Sequence, residues 1–274
     1  MTEHRFETPH PVRLFTEIGK GSVRVIATDT AETVVEVSGR DADQTVVRHD
    51  GDQVSVVGPK VRNGFFGGDS RLEVVVTLPT ASTVAVRTGS ADIDVIGTVG
   101  SGQLKSGSGD VAADTCTGPL VVETGSGDVR VESAGAGLKV KSGSGDVTVV
   151  DAAAAVLVST GSGDVRLEKS RGSVVVKTGS GDLKVGEAEG DVALTTGSGD
   201  LVVGRAHRGR VTVKGASGDV AIGIPAGVPV WTDISTITGA IRSNLTGAGQ
   251  PRDGADHVEV RAKTVSGDIA LTEA

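Results

Sequence analysis

Apolar and polar residues alternate in short bursts along most of this chain, and the bursts return at a fixed distance. In "GDVRVESAGAGLKVKSGSGDVTVV", residues 127–150, Val129 and Val131 bracket Arg130, and Leu138 and Val140 bracket Lys139. The same two bursts recur as Val147/Val149 with Val156/Val158, Val165/Leu167 with Val174/Val176, and onward. Strict alternation is the period of a β-strand with one buried face, so each burst predicts a short strand. Aspartates aligned on "GSGD", with "GSAD" at the first copy, give the spacing: Asp92, Asp110, Asp128, Asp146, Asp164, Asp182 and Asp200, eighteen residues apart. Asp219 follows after nineteen, and Asp268 sits in a divergent copy, "TVSGDI".

Two strands and two bends in eighteen residues make one coil of a solenoid. The pattern predicts an all-β fold, a parallel β-solenoid whose coils stack about 4.8 Å apart. Its two sheets then face each other across about 10 Å. Right-handed coiling is expected, because parallel crossovers are strongly biased that way. The parity of the second strand sends Thr124, Ser142, Thr160, Thr178 and Thr196 inward beside the valines. Gly-Ser-Gly then turns the corner, glycine supplying backbone angles that a Cβ forbids. The aspartate is expected to accept backbone N–H groups there, as Asx residues do in turns.

The spacing is lost at both ends. Residues 1–80 keep strand patterns such as "SVRVIAT" and "RLEVVVTLP" without the eighteen-residue step, which predicts an irregular N-terminal β cap. Residues 81–274 are the repeat region, with divergent coils after Asp219. A solenoid end exposes unpaired backbone and needs cover. Phe65 and Phe66, in the glycine-rich "NGFFGG", either fold back to plug the first coil or offer a contact to a partner.

Composition agrees with the thin interior. Of 274 residues 41 are glycine, against four Phe, one Trp and no Tyr, so the core is built from Val, Leu, Ile and Ala. A net charge of −8 argues against a nucleic-acid partner, which needs clustered Lys and Arg. The lone Cys116 excludes an internal disulfide framework. The polar, acidic start "MTEHRFE" lacks the pattern of a signal peptide, and no apolar run is long enough for a transmembrane segment. The expected location is therefore cytoplasmic, with the surface reachable by an unconventional route.

Candidate chemistry is sparse. Histidines 4, 10, 49, 207 and 257 have no spacing that gathers metal ligands, and none recurs beside the serine-rich corners to act as a base. "IGKGS", residues 18–22, lacks the upstream glycine of a phosphate-binding loop, where Leu14 stands instead. Calcium-loaded rolls repeat every nine residues on Gly-Gly-x-Gly-x-Asp, which this chain does not do. Ice-binding solenoids display threonine outward, whereas here it shares parity with buried valine. No catalytic residue, cofactor or metal is expected. The row Asp110, Asp128, Asp146, Asp164, Asp182, Asp200 is expected to be a structural turn ladder. An outward row of the second strand, Val121, Lys139, Leu157, Val175 and Ala193, is mostly apolar and is a candidate contact surface.

The "TGSGDV" units, "RLEVVVTLP" and "TVSGDI" together resemble a bacterial β-strand-repeat family of unknown function that carries the label "putative adhesin". The resemblance covers nearly the whole chain. It implies a β-solenoid and no established enzyme activity, and its label implies a surface location that this N-terminus does not advertise. The function expected is a non-enzymatic scaffold or protein-interaction module, meeting a protein partner or a second copy of itself. An envelope-associated or adhesive protein is the alternative.

Overall fold

A computed structural model of the chain describes residues 1–59, 71–246 and 256–274. Phe65 and Phe66 lie outside the described residues. The chain divides into two compact units, Met1–Gly137 and Leu138–Ala274. Each is a parallel β-solenoid made of two sheets.

In the second unit one sheet runs Val147–Ala152, Val165–Ser170, Leu183–Ala188, Leu201–Ala206, Val220–Ile224, Ile269–Glu273 and Ile241–Ser243. The other runs Leu138–Ser142, Val156–Thr160, Val174–Ser180, Val192–Ser198, Gly209–Ser217, Val258–Ser266 and Val230–Thr238. All the pairings described are parallel and in register, Val147 on Val165 on Leu183 on Leu201. Every strand therefore repeats its neighbour's face. Val165, Leu167, Val174 and Val176 are buried while Arg166 and Lys177 are exposed. Each buried Val or Leu contributes about 1.5–3 kcal/mol by leaving water. The bend between the two strands is filled by one small buried residue per coil, Ala152, Ser170, Ala188 and Ala206.

Space runs out of chain order in the outer coils. The coil of Val230–Thr238 and Ile241–Ser243 is outermost, and the later segment Val258–Glu273 inserts between it and Gly209–Ile224. The divergent copies are thus not simply the next two coils in sequence.

The first unit has the same device. Arg13–Ile18 pairs parallel with both Thr83–Thr88 and Gln53–Val57, and Lys20–Thr28 with both Asp92–Val99 and Arg71–Pro79. Residues 13–28 therefore form a coil between two others. What departs from the repeat is antiparallel. Glu32–Gly39 covers Arg71–Pro79, Thr2–Glu7 covers Glu32–Gly39, and Val46–Asp50 covers Gln53–Val57.

The corner glycines work differently from the sequence-based expectation. Gly161, Gly163, Gly179 and Gly181 do not occupy the left-handed region; only later copies, Gly218 (φ +142°) and Gly267 (φ +129°), have positive φ. Coil-to-coil contact is the constraint. A Cβ on Gly163 would sit 2.0 Å from the Gly145 carbonyl oxygen, and one on Gly199 2.2 Å from that of Gly181. Glycine is required because the preceding coil's backbone is already there.

Candidate interaction surfaces

The corner hydroxyls face inward. Ser106, Thr124, Thr160, Thr178 and Thr196 are buried, and Ser142 is half-buried. Thr124 Oγ1 accepts the Gly127 N–H at 3.1 Å, Thr160 Oγ1 the Gly163 N–H at 3.1 Å, and Ser142 Oγ the Gly145 N–H at 3.0 Å. They close the corner onto itself. An outward threonine array is not present in these coils.

Within each unit the aspartates stand in a row, bonded one to the next. Asp146 Oδ1 accepts the N–H of Asp164 at 2.9 Å, Asp164 that of Asp182 at 2.9 Å, and Asp182 that of Asp200 at 2.8 Å. The chain of bonds continues from Asp200 to Asp219 and, across the out-of-order insertion, from Asp219 to Asp268. In the first unit Asp92 serves Asp110 and Asp110 serves Asp128 in the same way. A backbone N–H held against a carboxylate oxygen offsets repulsion along the row. Beside it in the second unit lies a groove of about 230 Å³, with the outward Thr148, Arg166, Lys184 and Val202 on its strand side. Two cations there further balance the carboxylates.

The apolar row is shorter than its sequence pattern. Leu157 pairs with Val175 and Val175 with Ala193, so these three are neighbours; exposed Lys139 precedes them and Thr212 follows. Leu157 is 40% exposed, whereas Val175 and Ala193 are half-buried. Val121, in the first unit, sits beside Gln103 and is half-buried.

A second surface escaped the repeat-based reading. The outermost strand Val230–Thr238 exposes Trp231 (55%) and Ile237 (78%). Near it a cavity of about 230 Å³ is lined by Ile224, Val230, Ile234, Leu245 and Leu271, with Glu273 at its wall. The available signal was "VWTDISTIT", nine residues of β-favouring character without Lys or Pro.

Among the described residues no three His, Cys, Asp or Glu side chains converge as metal ligands would. Cys116 is buried, and burial pushes its thiol above the ordinary range, away from the reactive thiolate. No helix among the described residues is long and apolar enough to cross a membrane.

Known proteins match this chain as follows. No curated protein matches its sequence. Among solved structures, a "putative adhesin" from Bacteroides fragilis is 10% identical, covering 98% of this chain and 96% of its own, with a TM-score of 0.46. A "putative lipid binding protein" from Parabacteroides distasonis is 13% identical over 98% of this chain and 96% of its own, with a TM-score of 0.49. Another "putative adhesin" from Parabacteroides distasonis is 11% identical over the same shares, with a TM-score of 0.37. The Toastrack DUF4097 family matches residues 13–272, which takes in every coil described above. The chain belongs to the Toastrack DUF4097 family.

Proposed function

We propose that the protein is a non-enzymatic β-solenoid scaffold that presents its outward strand rows to a protein partner. The observation that carries this reading is how the repeat spends its reactive groups. Corner carboxylates and the hydroxyls of Thr124, Ser142 and Thr160, side chains able to act on a substrate, are bonded to the protein's own backbone, and the Thr178 and Thr196 hydroxyls are buried in the interior. The outward rows are left as the variable part, and Leu157, Val175 and Ala193 form an apolar patch on one of them. Residues 1–80 serve in this reading as the cap and 81–274 as the presenting region.

A photo-crosslinking side chain at Leu157 in the native host tests the reading. A discrete protein adduct, lost when Val175→Lys is added at unchanged melting temperature, is the expected result. Absence of any adduct at Leu157 and at Val175 would overturn it. The aspartate row is structural in the same reading, because its Oδ1 atoms already hold N–H donors. Micromolar calcium should then leave the melting temperature where it was, and a large rise with saturable binding would make the row a metal ladder.

The family's adhesin label supports a second reading, a protein of the cell envelope. The scaffold reading places the chain in the cytoplasm and the adhesive reading outside the membrane. Protease treatment of intact cells separates them.

A further inference from the structure

We propose that the strand Val230–Thr238 is a dimerisation edge that pairs antiparallel with the same strand of a second copy, about a two-fold axis at Ile234. This deepens the interaction-module reading by naming a second copy of this chain as one partner.

The backbone supplies the first half of the argument. Val230–Thr238 is outermost in its sheet, with Val258–Ser266 on one side. The Val258 N–H donates to the Pro229 carbonyl at 3.0 Å. Backbone groups alternate sides along a strand, so Trp231, Asp233 and Ser235 point theirs at Val258–Ser266. Thr232, Ile234 and Thr236 point theirs at the open edge. Those groups have no strand beyond them among the described residues. A long edge of this kind is a template for another chain.

The order of side chains supplies the second half. Turning "VWTDISTIT" about Ile234 sets Trp231 against Ile237, Thr232 against Thr236 and Asp233 against Ser235. Trp231 and Ile237 are the two most exposed apolar side chains of the strand, and the rotation makes them cross-strand partners on the outer face. Aromatic with β-branched pairs and Thr with Thr pairs are both favourable opposite one another. The strand's one charge, Asp233, meets serine and not itself. The same register makes Ile234 opposite Ile234 a pair that exchanges two backbone hydrogen bonds, as the open-edge parity requires. A two-fold interface must be self-complementary in this sense, and two-fold dimers are the commonest assemblies.

The test uses the full chain and its single tryptophan, Trp231. Sedimentation velocity across a dilution series should show a dimer that dissociates, with Trp231 emission shifting to the red over the same concentrations. Thr232→Pro removes an N–H that faces only the open edge, so the folded monomer should keep its melting temperature. Its dimer dissociation constant should rise about 100-fold, the loss of two backbone hydrogen bonds at about 1.4 kcal/mol each. Trp231→Lys with Ile237→Lys provides a second variant, setting like charges opposite each other and abolishing the dimer. A wild-type chain that stays monomeric at every concentration overturns the inference and leaves the crosslinking test of Leu157 standing. So does a dimer that survives both variants, or one lost on Leu157→Lys with Val175→Lys instead.

Discussion

The outermost strands of the first unit and that of the second solve the same problem in opposite ways. In the first unit the parallel ladder is finished by antiparallel strands whose sequences, "TEHRFE" and "VVRHD", carry charge at most outward places. In the second unit the ladder of the described residues ends at "VWTDISTIT", a parallel strand with one charge. Charged edges discourage further pairing, and a long neutral one invites it. Coils built on one repeat thus differ most where the repeat stops, and the open edge is where selection of a partner can act.

The contrast can be broken most violently in the cover of the first unit. Val37 is fully buried in Glu32–Gly39, so Val37→Asp should cost about 3–5 kcal/mol in urea unfolding, as an unpaired buried charge does. Ile237→Asp on the open strand should stay within about 0.5 kcal/mol, as exposed substitutions usually do. Equal losses would mean that the open strand is covered like the other. A smaller difference is expected along the aspartate row. Asp182→Leu removes the acceptor of the Asp200 N–H and should cost about 1 kcal/mol, with Asp182→Asn milder because it keeps an oxygen. Asp268 instead holds the outermost coil, through the Ala240 N–H at 2.8 Å and Arg242 at 3.4 Å. Asp268→Leu should leave the global midpoint unchanged and speed hydrogen exchange only at residues 230–243.

Exchange in the wild type sharpens the same point without mutation. Amides of Glu32–Gly39 should open only with global unfolding, while those of Val230–Thr238 facing the edge exchange early in dilute solution. The smallest effect concerns pH. A hydrogen bond from Arg210, helped by Arg261, holds the Glu259 carboxyl below its ordinary range and pins the inserted strand. Arg13 does the same for Asp52 in the first unit. Each folded carboxyl is depressed, so its contribution is present above the ordinary carboxylate pKa and is lost as pH falls through the depressed value. Glu259→Gln and Asp52→Asn should each slightly flatten the acid side of the stability profile, read as melting temperature against pH.

Much of this architecture is legible from alternation and spacing. Val147, Val149, Val156 and Val158 announce two strands facing one interior, and the eighteen-residue step says that coils stack in register. Spatial order is not encoded that way. Parallel strands with interchangeable valines fit many neighbours, so nothing in "VEVRAKTVS" says that it lies between Gly209–Ser217 and Val230–Thr238. The corner glycines were legible as turns but not as contacts, because the obstacle to a Cβ is the previous coil's carbonyl eighteen residues away. Surface candidates fared unevenly for a related reason. Outwardness follows from parity, yet Val175, flanked in register by Leu157 and Ala193, is half-buried, and exposure belongs to the sheet as a whole.

The inserted coil has a consequence for how the chain is made. A solenoid whose coils stack in sequence order can be completed in the order of synthesis, each new coil settling on the last. Here Val230–Ser243 leaves the ribosome before Val258–Glu273, the segment that lies between it and the rest of the stack. Its strands must wait, unpaired on their inner side, or dock first on Gly209–Ile224 and yield that place later. Maturation of the second unit therefore includes a step that no amount of local strand formation can hasten, the arrival of a filler translated after the piece it supports.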